Sequence, residues 1–135
     1  MRSLAVLLLL PFAGCGAHSS GDCHEDRDCG GGNVCARNLE CLPASEVRVA
    51  RVTWTIRGQP ANEALCAPTP DFYLLFAGTQ FNDEFGFAPV PCKSGLFSID
   101  KLPRRFVSVE IGVDGGFAEV KAFDAAGTVA FDLAP

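Results

Sequence analysis

Seven cysteines are the residues of this chain best equipped for chemistry. Cys23, Cys29, Cys35 and Cys41 are evenly spaced, with five residues between neighbours. Cys66 and Cys92 stand apart with 25 residues between them, and Cys15 stands alone near the start. A thiol can attack a substrate, hold a metal or pair with another thiol. A nucleophilic triad needs a base, and the two histidines, His18 and His24, both precede the strand-rich part of the chain, so no Ser/His/Asp arrangement can form there. A structural zinc site favours Cys-x2-Cys pairs, which this spacing lacks. Disulfides remain, provided the chain is exported. Four evenly spaced cysteines allow three pairings. The interleaved one, Cys23–Cys35 with Cys29–Cys41, is favoured because it would cross-brace two short hairpins, although spacing alone does not select it. The segment needs such staples, because Val34, Leu39 and Leu42 are its only large apolar residues and cannot build a core. Each bridge contributes about 2–3 kcal/mol.

The carboxylates are less specific. Asp22, Glu25, Asp26 and Asp28 cluster beside His24, and hard cations such as calcium favour carboxylate oxygens. The spacing is not that of an EF-hand and Arg27 interrupts it, so a solvated acidic loop is the better reading. Asp83 and Glu84 are neighbours, whereas glycosidase chemistry needs two carboxylates held apart across a cleft. No Gly-x-Gly-x2-Gly or Walker-type loop occurs, and Gly30-Gly31-Gly32 has no helix after it to hold phosphate. The sequence therefore implies no cofactor and no metal. One surface stands out. Phe72, Tyr73, Phe76, Phe81, Phe85 and Phe87 fall within sixteen residues, six of the thirteen aromatics. Core packing accounts for most of them. Phe81 and Phe85 flank the polar Asn82-Asp83-Glu84 tip and are the hardest to bury. With Asp83 and Glu84 they form a candidate contact patch for a protein or glycan.

The compartment is set by the amino terminus. Met1-Arg2 is a short positive start, Leu4 to Phe12 is uncharged and apolar, and Ala13-Gly14 are small, as a signal peptidase site requires. The run is shorter than the roughly 20 residues of a membrane-spanning helix. An ordinary secretory signal is one reading. Cys15 directly after Phe12-Ala13-Gly14 gives a sharper one, because the segment resembles the lipobox of bacterial lipoproteins, with Phe12 where leucine is usual. The resemblance implies that Cys15 becomes the acylated first residue of the mature chain, with more than one acyl chain for stable anchoring. Gly16, rather than aspartate, follows it, which by analogy points to the outer membrane. The expected organisation is a signal peptide over 1–14, a lipidated polar tether over 15–22, a cysteine-rich module over 23–42 and a β domain over 46–135. One lipidated cysteine and three disulfides then account for every cysteine. Cleavage after Gly14 leaves 121 residues and moves the formal net charge from −5 to −6, since only Arg2 is lost. An acidic chain without a basic stripe argues against nucleic acid as a partner. Attachment to membrane must come from the lipid on Cys15.

From Glu46 onward the pattern is that of strands separated by turns. Val52, Trp54 and Ile56 share one face, while Val47 and Val49 have the opposite phase, which predicts a bulge near Ala50. Asp71 to Ala77 is apolar on both faces and reads as a central strand. Strands are also expected over Phe85–Val90, Leu96–Ile99, Phe106–Val113, Phe117–Phe123 and Val129–Leu133. In the Phe106–Val113 strand, Val107, Val109, Ile111 and Val113 are expected to point inward. Asp114-Gly115-Gly116 is a hairpin turn. Seven short strands without helical periodicity predict an all-β, seven-stranded sandwich of immunoglobulin-like kind behind a disulfide-rich module. Cys66 and Cys92 would tie strands or their approach loops, contributing roughly 3 kcal/mol.

Two further resemblances follow from these residues. Cys23, Asp26, Asp28, Cys29, Gly32 and Cys35 fill a Cys-x2-Asp-x-Asp-Cys-x2-Gly-x2-Cys pattern that looks like short cysteine-rich repeats of myxobacterial-type surface lipoproteins and is similar to Dickkopf-like segments. Gly95-Leu96-Phe97, then Leu102-Pro103 and Phe106-Val107-Ser108-Val109, resembles the pattern of transthyretin-like domains of the carboxypeptidase-regulatory-like kind, with Arg104-Arg105 where a glycine-containing turn is usual. The resemblance implies an accessory or adhesive module and brings no catalytic residues. The expected function is a lipid-anchored, non-enzymatic binding or accessory protein of the cell envelope. A structural subunit of an envelope complex is the alternative, with a carboxylate-based hydrolase behind it.

Overall fold

The computed structural model describes residues 23–135. The signal segment, Cys15, His18 and Asp22 lie outside the described residues. The cysteine module begins with a 3₁₀ turn over Asp26–Asp28. Strands β1 (Asn33–Cys35) and β2 (Cys41–Pro43) follow and pair antiparallel. Its bridges are the interleaved ones, Cys23–Cys35 and Cys29–Cys41, with Cα atoms 5.6 and 5.4 Å apart. They brace one hairpin against the 3₁₀ turn rather than two hairpins, because Asp28 rolls the acidic stretch into a tight turn. Its carboxylate accepts hydrogen bonds from the backbone N–H groups of His24 and Glu25 at 2.8 and 2.9 Å. Asp26 accepts from the Cys35 N–H at 3.0 Å. Two of the clustered acids thus satisfy backbone donors left open at the turn, and these bonds hold both carboxyls below the ordinary carboxylate range, with the Lys101 ammonium the main cause at Asp26.

The remainder is the expected all-β sandwich. Its elements are β3 (Val47–Ile56), β4 (Gln59–Pro60), helix α1 (Glu63–Cys66), β5 (Asp71–Gly78), β6 (Glu84–Pro91), β7 (Leu96–Pro103), β8 (Phe106–Gly112), β9 (Ala118–Ala122) and β10 (Thr128–Leu133). The seven strands read from the alternation are all present, and β4 adds a two-residue pairing at the end of β3. In the first sheet β3 lies between β10 and β7. β10 runs parallel to it, from Thr128 opposite Arg51 to Leu133 opposite Ile56. The second sheet has the order β6-β5-β8-β9 and is antiparallel throughout.

Side chains from the two inner faces fill the space between the sheets. Trp54, Ile56 and Phe131 from the first sheet meet Phe72, Leu74, Phe76 and Ile111 from the second. Phe76 is central to an aromatic cluster, with ring centroids 6.0–6.3 Å from those of Phe85, Phe87, Phe97 and Phe123. The buried Trp54 indole donates to the Cys92 carbonyl at 2.7 Å, which satisfies its only polar atom. Cys92 in turn is bonded to Cys66, so the third disulfide ties α1 to the turn leaving β6.

Register irregularities set the phase of the strands, including one between Phe72 and Leu74 in the β5–β6 pair. The β3–β7 register shifts between Arg48 and Ala50, where the change of phase in Val47 and Val49 predicts a bulge. A further shift, where Gly78 pairs with Phe106, is not visible in the alternation. It reverses the expected orientation at the start of β8, so that Phe106 is buried and Val107 faces solvent.

All four sheet edges are blunted. β6 carries Pro89 and Pro91, which offer no N–H to an incoming strand. On β9, Lys121 shares the inward face with Val109 through the register, lies 5.0 Å from the Phe131 ring and reaches the Ala130 carbonyl on β10 at 3.1 Å. That single ammonium obstructs the β9 and β10 edges together. The β7 edge is covered by the cysteine module, whose Arg37 N–H donates to the Lys101 carbonyl at 3.2 Å.

Candidate functional site

The contact patch expected from the sequence falls at the junction between the cysteine module and the sandwich. Three ion pairs cross this junction. Arg37 Nε reaches Asp100 at 2.7 Å. Lys101 Nζ grips both oxygens of Asp26 at 2.7 and 2.8 Å. Arg105, at the β7–β8 turn, takes Glu40 of the module in a two-pronged pair at 2.7 and 2.8 Å. Its remaining nitrogen, Nε, donates to Asp83 at 2.7 Å. The Arg105 guanidinium also lies 5.1 Å from the Phe106 ring. Burial alone would lower the Arg105 pKa; its bonds to Glu40 and Asp83 outweigh that and raise it.

Asp83 is held there by the turn between β5 and β6. Asn82 adopts φ 61°, the left-handed region that asparagine tolerates better than most residues. The Gly78 N–H donates to the Asp83 carbonyl at 2.7 Å. Gly78 is required by close approach, since a β-carbon on it would overlap the Asp83 side chain.

The four patch residues separate into distinct environments. Phe81, at the tip of the turn, is 95 % exposed. Glu84 is exposed at the start of β6. Asp83 keeps only 16 % of its side chain in contact with solvent, because Arg105 covers it. Phe85 turns inward, with its ring 4.9 Å from Phe87 and 6.1 Å from Phe106. Phe81 is therefore the aromatic that the tip exposes, while Phe85 packs inward against Phe87 and Phe106. The two neighbouring acids differ equally: one is committed to a guanidinium and the other is solvated.

Sequence reasoning missed Arg105, Glu40 and Gly78. Arg104-Arg105 is the one adjacent basic pair in the chain, and that was the available signal. Its partners, 22 and 65 residues away, are set by the fold.

A second surface is the outer face of the β6-β5-β8-β9 sheet. The registers place Leu75, Glu110, Gly86 and Val120 in one row across it, with Glu84, Ala77, Ser108 and Ala122 in the next. No lysine or arginine stands in these rows. Tyr73 spans the face and donates its hydroxyl to Glu110 at 2.6 Å. That bond, with smaller help from desolvation, pushes the phenol up to about 12. Gly112 makes room for it, since a β-carbon there would lie 2.7 Å from the Tyr73 hydroxyl.

The sulfurs of Cys23, Cys29 and Cys41 lie within 4.8 Å of one another because the two module bridges are stacked. All are engaged in disulfides and offer no thiolate to a metal. No family model, curated protein or solved structure matches this chain.

Proposed function

We propose that this chain is a lipid-anchored, non-enzymatic protein of the cell envelope, attached through Cys15, whose cysteine module and sandwich together act as a binding or accessory unit. The observation that carries this reading is the pairing of the cysteines. Six close on one another in three bridges, which suits an oxidising compartment, and of the seven only Cys15 stands outside them. It follows a short apolar run and two small residues, as in a lipobox. The transthyretin-like reading draws support from the seven-stranded, two-sheet architecture, and it brings an accessory role with it. A filled interior leaves binding to the tips and outer faces. A hydrolase built on Asp83 and Glu84 is disfavoured by Asp83's engagement with Arg105.

A structural role within an envelope complex is a second reading. It draws on the outer face of the second sheet, where small residues leave a flat surface around Leu75 and Val120. The test is intact mass of the mature protein from a host with an outer membrane, together with fractionation of a Cys15→Ala variant. The expected mature chain starts at Cys15, carries acyl chains and yields six alkylatable thiols only after reduction. A Cys15→Ala chain that fractionates with membranes as the wild type does would overturn the anchor.

A further inference from the structure

We propose that the Phe81 turn is a second membrane contact, which seats the sandwich on the bilayer that holds the Cys15 lipid. The proposal rests on the anchor reading above and adds an orientation to it. Seven residues separate Cys15 from Cys23. Covalent geometry lets the eight steps between them span at most roughly 29 Å, so the Cys23 end of the protein is the end that faces the lipid. The Cys23 N–H donates to the Leu39 carbonyl at 3.2 Å. Glu40, the next residue, is joined through Arg105 to Asp83 of the Phe81 turn. Glu40, Phe81 and Arg105 line one shallow depression. Chain departure, Leu39 and Phe81 therefore share one end of the molecule.

That end carries the apolar groups expected of a membrane seat. Phe81 is exposed at 95 % on a turn tip, and Leu39, preceding the Glu40 that Arg105 ties to that turn, is 45 % exposed. Among the described residues, the other large exposed apolar side chains, Val49, Leu96, Val107 and Val120, lie on strands rather than at a tip. An aromatic ring flanked by Gln80 and Asn82 suits the boundary between headgroups and acyl chains. Charge selects the kind of lipid. Glu40 and Asp83 share the single positive charge of Arg105, which leaves one net negative charge, Glu84 remains exposed, and among the described residues no unpaired basic cluster surrounds the tip. The surface that fits is zwitterionic phospholipid, with anionic lipid disfavoured.

The experiment uses the mature lipidated chain carrying Phe81→Trp, reconstituted in phosphatidylcholine vesicles with and without brominated acyl chains. The wild type, whose single tryptophan is the buried Trp54, is the background. The expected result is blue-shifted emission from the variant that brominated lipid quenches, with wild-type emission unchanged and with quenching reduced when phosphatidylglycerol is added. A chain that floats with the vesicles while Trp emission at position 81 stays unshifted and unquenched overturns the membrane seat and leaves the anchor standing. A Cys15-bearing chain that does not float overturns both.

Discussion

The cysteine module and the sandwich reach a fixed structure by opposite routes. The module's own buried cluster consists of Cys23, Cys29 and Cys35, with Cys41 packed on it. Its other restraints include the β1–β2 pairing, carboxylates that cap backbone donors and three ion pairs to its neighbour. The sandwich buries Trp54, Phe72, Leu74, Phe76, Phe106, Ile111 and Phe131, among others, and uses one disulfide. Sulfur replaces hydrocarbon in a segment too short to exclude water. The difference teaches that oxidation is a folding requirement for one region and a reinforcement for the other.

Replacing Cys23, Cys29, Cys35 and Cys41 together by serine sharpens this contrast most. Two bridges at about 3 kcal/mol each exceed anything the module's few apolar side chains can supply. Hydrogen exchange is expected to reach the open-chain rate over residues 23–43, while the near-ultraviolet signal of Trp54 persists. Simultaneous loss of the Trp54 signal would break the comparison by making the sandwich depend on the module.

The reciprocal substitution is Phe76→Ala. Its ring is fully buried among four other phenylalanines, and truncation leaves a cavity worth about 3–5 kcal/mol. Denaturant unfolding followed by Trp54 fluorescence is expected to show a lower midpoint. Mass mapping is expected to find the two module bridges still formed.

The smallest effect tests the polar bond on the outer sheet face. Tyr73 is the only tyrosine, so absorbance reads a single phenol. It is expected to titrate at about 12, and Glu110→Gln is expected to move it toward the ordinary value of 10.0. Because the folded value is raised, the stabilisation from this bond is complete below pH 10.0 and is lost as pH climbs through about 12.

Much of the sandwich was legible because a strand with one buried face writes its orientation into alternate residues. Val52, Trp54 and Ile56 gave β3, and the phase change at Val47 and Val49 gave its bulge. Val107 misled for the same reason. The shift responsible arises where Gly78 meets Phe106, so the alternation within β8 carried no trace of it. The candidate site was half legible. An aromatic beside a polar tip marked Phe81, but Arg105 is a surface arginine until the fold brings Glu40 and Asp83 to it. Long-range ion pairs leave no periodic mark, and three of them join the module to the sandwich.

The blunted edges carry a consequence for life at a crowded surface. On the anchor reading proposed above, a lipid tail would confine the chain to two dimensions and raise the local concentration of identical copies. With prolines on one margin, a lysine across two more and the cysteine module over the fourth, backbone-to-backbone pairing between neighbouring molecules is disfavoured. Association between copies then falls to side chains, which selection can alter one residue at a time.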